Sequence, residues 1–122
     1  MTALTFLKTD PDDADREEYL LPEDKLIAGN PRQVVWNTYS DSAGKFFAGI
    51  WHSDVGKWRI RYTEEEFCHL LQGVSVITDS DGNAVTVAAG DRFVIPRGFV
   101  GTWEVVEPTR KIYVIYEAGD SL

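Results

Sequence analysis

The stretch "GDRFVIPRGFVGTW", residues 90–103, decides the fold. Gly90 and Gly98 can adopt the positive φ angles that tight turns require. Pro96 has no amide hydrogen to donate, so it stops a strand. The stretch therefore predicts a turn, a short strand over 92–96, a second turn at 97–98 and a further strand over 99–106.

Short apolar runs and turns alternate in the same way from residue 33 onward. Asp81-Gly82 is a strong hairpin signal, and 107–110 is predicted as another turn. No long amphipathic helix is predicted after residue 30. The strands, about nine in number, are predicted over 33–39, 45–53, 57–62, 66–73, 74–79, 84–87, 92–96, 99–106 and 111–117. This pattern is typical of an all-β jelly-roll barrel.

Strand alternation assigns faces to the side chains. Successive residues of a strand point to opposite sides of the sheet. Over 57–62, Trp58, Ile60 and Tyr62 are expected to face the core, and the intervening basic residues to face water. Over 66–71, Glu66 and Cys68 share one face, and the other face carries Phe67, His69 and Leu71.

Two spacings resemble the motifs of the cupins, which are small double-stranded β-helix barrels. They are Tyr62-x3-Glu66-x6-Gly73 and Gly90-x5-Pro96-x-Gly98-x2-Gly101. The resemblance covers about residues 34–117. It is greatest to the small single-domain cupins related to (S)-ureidoglycine aminohydrolase and to the ethanolamine-utilisation cupins. It implies a cupin double-stranded β-helix, that is, a jelly-roll barrel.

The resemblance also implies where a metal would be held. Metal-binding cupins use two histidines and a glutamate of the first motif and a histidine of the second. Ile60 and Tyr62 stand at the first two positions, Gly101 stands at the last, and only Glu66 remains. A transition metal needs several converging ligands. No cofactor is therefore expected, and a divalent transition metal (Mn, Zn, Ni or Fe), if bound, would rest on Glu66.

Three residues are the catalytic candidates: Glu66, Tyr62 and Cys68. A carboxylate inside an apolar barrel is costly unless it is paired or protonated, so Glu66 is interpreted as an acid, a base or a ligand anchor. The alternative is a Glu66 satisfied by Tyr62, by Lys111 or by a backbone donor. A neighbouring glutamate raises the pKa of Cys68, which argues against a nucleophile unless a cation such as Lys111 reaches it. Cys68 is interpreted as a pocket-lining thiol and weak ligand; the alternative is a thiol that packs in the core.

The ligand-binding candidates are mostly aromatic. Aromatic walls around one carboxylate and one thiol suit a small, partly apolar ligand; the alternative is that the rings fill the core. The strand 111–117 is apolar on both faces, which leaves the faces of Lys111 and Tyr113 open and favours a homodimer. The candidates are Trp58, Ile60, Trp103, Lys111 and Tyr113.

Composition excludes several classes of partner. The net charge of −8 and the pI of about 4.6 argue against nucleic acid and against an anionic membrane surface. No apolar run approaches the roughly 20 residues that span a bilayer. One cysteine cannot form an internal disulfide. A cytoplasmic location is expected.

Two regions are predicted along the chain: an acidic N-terminal arm, 1–32, and a cupin barrel domain, 33–122. Residues 1–30 hold eight acidic and three basic residues, a net charge of −5. The arm is predicted to be solvated, or to form a short capped helix starting near Asp12 or Asp13. The alternative is a segment that docks on the barrel or on a second subunit.

Three functions are compatible with these patterns. The leading hypothesis is a cupin barrel that binds a small organic ligand and lacks the histidine metal site. The second, implied by the resemblance, is a metal-dependent aminohydrolase or hydrolase of a small ureido or amino compound. The third is a non-catalytic structural or regulatory dimer with a packed barrel.

Overall fold

The computed structural model describes residues 3–118 of the chain, and this part is built almost entirely of β-strands. Two three-residue 3₁₀ turns, Asp13–Asp15 and Glu23–Lys25, are its helical elements. Within residues 3–118 no helix has the length and apolar character needed to cross a membrane. The strands are β1 Arg16–Leu20, β2 Leu26–Ala28, β3 Arg32–Ser40, β4 Phe46–Ser53, β5 Gly56–Arg61, β6 Glu65–Asp79, β7 Ala84–Ala88, β8 Arg92–Ile95 and β9 Val100–Tyr116.

The strands form two antiparallel layers that share β6 and β9. The first half of β6 and the second half of β9 lie in a layer of order β8-β6-β9-β4-β3-β1. The other halves lie in a layer of order β7-β6-β9-β5-β2. The layers enclose a common interior. The predicted all-β cupin jelly roll is therefore confirmed.

Long bent strands replace two predicted interruptions. The predicted break between 73 and 74 and the predicted turn at 107–110 are both wrong, because β6 and β9 run through them. Gly73, with φ of 91°, lies where the pairing of β6 and β9 changes register. A Cβ atom there would overlap the Pro108 carbonyl oxygen. Glycine thus lets the two strands cross closely while both bend from one layer into the other.

The predicted turns elsewhere are confirmed. Gly90 and Gly98 have φ angles of 93° and 90°. In the β6–β7 hairpin the Asp79 carboxylate accepts hydrogen bonds from the backbone amides of Asp81 and Asn83, each at 2.9 Å. These bonds lower the pKa of Asp79, with Asn83 the main cause.

The acidic segment pairs with the barrel. Of the predicted short capped helix, a single 3₁₀ turn forms over Asp13–Asp15, with Asp12 in the N-cap position but no side-chain capping hydrogen bond. β1 then pairs with β3 and β2 with β5, as the docking alternative describes. Backbone pairing at two sheet edges satisfies amide groups that a solvated arm would leave to water. Residues 1–2 and 119–122, the ends of the two predicted regions, lie outside the described residues.

Apolar side chains pack on both sides of the first layer. Strand alternation places Trp58 inside and leaves Arg59 and Arg61 exposed, as predicted. The interior cluster comprises Trp51, Trp58, Cys68, Leu70, Ile77, Val87, Ile95, Trp103, Val105 and Tyr113. A smaller outer cluster comprises Val34, Trp36 and Ile50, with Leu71 and Ile112 packed against it.

Candidate functional site

A cavity of about 680 Å³ opens at one end of the barrel. Inward-facing residues of β3, β4, β5, β6 and β9 line it. Tyr19 and Leu21, from the segment predicted as an arm, complete the wall. The N-terminal strands therefore contribute directly to the candidate site.

A buried ion pair forms part of the wall. The Lys111 Nζ atom lies 3.0 Å from Oε2 of Glu66. The Tyr62 hydroxyl donates a hydrogen bond of 2.6 Å to Oε1 of the same carboxylate. Lys111 and Glu66 are only 5% and 4% exposed. Both oxygens of Glu66 are thus engaged, which is the satisfied state that the sequence left as an alternative.

Tryptophan rings surround the Lys111 ammonium. Its Nζ atom lies 4.6 Å from the ring centroid of Trp51 and 4.4 Å from that of Trp103. Trp58 stacks on Trp103 with centroids 6.5 Å apart. Cation–π attraction is strengthened when the cation is removed from water. The rings therefore add to the attraction that the Glu66 carboxylate exerts on the ammonium.

Hydrogen bonds donated by the indole N–H groups orient Trp51 and Trp103. Trp103 Nε1 donates to the Ser75 hydroxyl at 3.1 Å. Trp51 Nε1 donates to the Gln33 side-chain oxygen at 2.8 Å, and the Gln33 amide donates to Ser53 at 2.7 Å. Satisfied polar networks of this kind rigidify their surroundings. The tryptophan walls are preorganised.

The charged state of the pair follows from its surroundings. Burial alone would lower the pKa of Lys111, but Cys68 and Glu66 outweigh burial, and the pKa lies above its ordinary value. Lys111 is therefore an ammonium at neutral pH, unsuited to attack a carbonyl as a free amine. Burial, followed by the Glu66 carboxylate, raises the pKa of Tyr62 well above its ordinary value. Tyr62 is a neutral hydrogen-bond donor.

Cys68 is an inert thiol beside this pair. Burial raises its pKa to about 12; Lys111 lowers the pKa and Glu66 raises it, but both effects are smaller than that of burial. The side chain is fully buried and lies outside the set of residues that line the cavity. The predicted catalytic candidates are therefore close together, but Cys68 packs behind the wall.

The residues present do not fit a transition metal. At the positions corresponding to metal-binding histidines stand Ile60, Tyr62 and Gly101, and a Cβ atom at Gly101 would overlap the Thr78 carbonyl oxygen. Among residues 3–118 no group of three or more histidine, cysteine or acidic side chains could hold a metal ion. The carboxylate of Glu66 is already shared by Tyr62 and Lys111.

The predicted ligand-binding residues come together at this cavity. All five of them line it: Trp58, Ile60, Trp103, Lys111 and Tyr113. The face left open for 111–117 is now assigned, because Lys111 and Tyr113 point inward. His69 lies on the opposite face of β6 from Glu66, as strand alternation indicated.

Several cavity residues were missed. Trp51 lies on the predicted strand 45–53, which is apolar on both faces. The alternation of apolar and polar residues therefore could not show which face of this strand points into the barrel. Its inward position follows from pairing with Lys111 across β4 and β9. Asn37, which accepts a hydrogen bond of 2.6 Å from the Tyr113 hydroxyl, is likewise recognisable only once β3 is placed. Tyr19 and the rim residues Glu64 and Glu117 were also missed.

Comparison with known proteins identifies relatives of the fold. A protein of unknown function from the DUF861 family of Pseudomonas syringae superimposes with a TM-score of 0.80 at 21% identity, covering 89% of this chain. The present chain covers only 46% of that protein, about half its length. The EutQ protein of Clostridium difficile gives a TM-score of 0.64 at 20% identity, covering 73% of this chain and 65% of its own. At these identities the likeness concerns the fold alone.

A third structure is nearer in sequence. A DUF861 family protein from Thermotoga maritima is 34% identical, with a TM-score of 0.52, over 52% of this chain and 73% of that protein. No curated protein matches the sequence significantly. The model of the EutQ-like cupin domain matches residues 40–113, more than half of the chain. The chain belongs to the EutQ-like cupin family.

Proposed function

We propose that this cupin barrel binds a small, partly apolar organic ligand without a transition metal. The observation that carries the proposal is the buried Lys111–Glu66 pair in the wall of an open, tryptophan-lined cavity. Large concave sites with apolar walls and a few converging polar groups are where proteins hold small molecules.

The energetics of the pair support a ligand-binding role. Removing two charges from water costs several kcal/mol per ion, which a good pairing geometry only offsets. Hydrophobic side chains of similar volume would close the barrel at lower cost. The pair is instead kept beside an open cavity that Lys111 itself lines, and an ammonium has three N–H donors, more than Glu66 alone can accept.

Two measurements test the proposal. Protein purified without added metal is expected to contain far less than one transition metal ion per chain. Tryptophan fluorescence is expected to respond to members of a fragment panel, and the response should persist in Trp36→Phe, which removes the tryptophan outside the cavity. A stoichiometric metal that disappears in Glu66→Gln, or a response lost in Trp36→Phe, would overturn the proposal.

A metal-assisted aminohydrolase is the second candidate. The resemblance to ureidoglycine aminohydrolase motivates it, with Glu66 as metal ligand or base and Tyr62 hydrogen-bonded to it in support. This candidate predicts metal-stimulated release of ammonia from small ureido compounds, abolished in Glu66→Gln. Absence of ammonia release with Mn²⁺, Zn²⁺, Ni²⁺ or Fe²⁺ would count against it.

We further propose a homodimer through the outer face of the first layer. Phe67, Val94 and Tyr116 are 39%, 59% and 50% exposed on that face. Light scattering coupled to gel filtration is expected to give twice the mass of one chain, and Phe67→Asp with Val94→Asp is expected to restore one chain. A purely structural dimer with a packed barrel is disfavoured by the open cavity.

A further inference from the structure

The two ends of the cavity differ in charge: the rim carries Glu64 and Glu117, and the floor carries Lys111 paired with Glu66. The residues that line it include one basic side chain, Lys111, and three acidic ones, Glu64, Glu66 and Glu117. Since Glu66 neutralises Lys111, the remaining charge that residues 3–118 contribute to the wall is that of the two rim carboxylates. An anionic ligand would have to pass these carboxylates, in a chain whose net charge is −8.

The rim carboxylates are held close to one another. Glu117 accepts a hydrogen bond of 2.9 Å from the Thr63 hydroxyl, next to Glu64 in the chain. Burial raises the pKa of Glu64, and the charges of Glu66 and Glu117 raise it further. Negative charge is therefore concentrated here, and a ligand cation at the rim would relieve it.

The floor presents the opposite character. Tyr62 and Lys111 occupy the two oxygens of Glu66, and the Lys111 ammonium is the cationic group that lines this end of the cavity. An ammonium has three N–H donors and no acceptor. A ligand oxygen, either carbonyl or carboxylate, is what this end of the cavity can bind.

The spacing of the two ends sets the length of the ligand. Glu66 pairs with Ile115, and Glu117 follows two residues later. At a rise of about 3.4 Å per residue the backbone of Glu117 lies roughly 7 Å beyond the level of Glu66. A chain of about five or six atoms spans that distance.

Resting on the proposed function, we infer that the ligand is an organic amine with a carbonyl or carboxylate oxygen at its far end, such as an amino amide or amino acid. The amine lies at Glu64 and Glu117, the oxygen at Lys111 and the apolar body against Trp58 and Trp103. No covalent step is involved.

A matched series of probes tests the inference by calorimetry: 6-aminohexanamide, 6-aminohexanoate, hexylamine and hexanoate. Both amino compounds are expected to bind at least about tenfold more tightly than hexanoate. Hexylamine, which lacks the oxygen, is expected to have an affinity between that of the amino compounds and that of hexanoate. In the double variant Glu64→Gln and Glu117→Gln the advantage of the amines is expected to shrink to less than about threefold. Glu65→Gln, one residue away on the exposed outer face of β6, is the matched control and should bind as the unmodified chain does.

The floor is tested separately with the paired variant Lys111→Met and Glu66→Gln, which leaves no buried charge unpaired. This variant is expected to bind 6-aminohexanamide no more tightly than hexylamine. Hexanoate binding as tightly as 6-aminohexanamide, or no binding of either amino compound at about 10 mM, would overturn the inference. The proposed function would still stand in either case if fragments without an amine alter the cavity tryptophan fluorescence.

Discussion

The two faces of the layer formed by β3, β4 and β9 each hold a cation over tryptophan. Inside, Lys111 lies over Trp51 and Trp103 and is paired with Glu66. Outside, the guanidinium of Arg110 lies 5.0 Å from the ring centroid of Trp36. The same local arrangement thus occurs on both sides of one sheet.

The two arrangements differ in how completely their polar atoms are satisfied. The inner tryptophans donate to Gln33 and Ser75. On the outer face, Trp36 Nε1, His52 Nδ1 and Arg110 Nε are buried without a hydrogen-bond partner within residues 3–118. The ring nitrogens of Trp51 and Trp103 are therefore satisfied, whereas these three polar atoms of the outer face are not. A cation over aromatic rings becomes a preorganised site only where a matched carboxylate and oriented ring N–H groups hold it.

The largest expected effect comes from breaking the inner pair. Lys111→Met leaves the Glu66 carboxylate buried without its counter-charge, so we expect a loss of about 3–5 kcal/mol in the free energy of unfolding. Chemical denaturation measures it. The paired variant Lys111→Met and Glu66→Gln should recover most of the loss. Equal stability of the single and paired variants would contradict the role assigned to the ion pair.

Reactivity of Cys68 tests the rigidity of the inner face. A pKa of about 12 means that the native thiol is ionised roughly a thousandfold less at pH 8 than an ordinary cysteine. We expect alkylation by iodoacetamide to be slower in the native chain than in the chain unfolded in urea by at least this factor. Comparable rates in the two states would show that the wall opens readily.

Arg110, the cation on the outer face, is expected to contribute much less than Lys111 to the free energy of unfolding. Arg110→Met removes a partly exposed charge that has no carboxylate partner among residues 3–118 and keeps most of the packing, so we expect a loss of at most about 1 kcal/mol. Denaturation of this variant beside Lys111→Met gives the direct comparison of the two faces. An outer loss as large as the inner one would show that the two faces are energetically alike.

The smallest expected effect is the pH dependence of the outer face. Burial, followed by the charge of Arg110, lowers the pKa of His52; Arg32 lowers it further, whereas Asp54 raises it. The folded state therefore favours the neutral imidazole. Its stabilisation is present above the unfolded pKa of about 6.5 and is lost as the pH falls from there through the folded pKa.

Denaturation curves between about pH 5 and pH 8 measure this effect, which we expect to be below about 1 kcal/mol. His52→Gln should flatten the curve, and Arg110→Met should reduce its slope. A slope unchanged in His52→Gln would assign the titration to another group.

Strand alternation and the residues typical of turns predict most of the strands and turns from the sequence. Positive φ angles at Gly90 and Gly98 and the hairpin at Asp81-Gly82 depend on neighbouring residues only, so local sequence predicts them. The inward direction of Glu66 and Tyr62 follows from the period of two and from the motif spacing. The same reasoning failed at 107–110, where a turn-like sequence continues a strand because close crossing at Gly73 bends both chains together.

The class of the fold, the faces of β5 and β6, and the missing histidines of a metal-binding cupin can all be read from the amino-acid sequence. That Lys111 turns inward, that it pairs with Glu66, and that Trp51 and the rim carboxylates share its cavity become visible in the folded chain. The reason is physical: alternation is a local property of one strand, whereas partners such as Trp51 and Lys111, 60 residues apart on β4 and β9, are brought together by strand register.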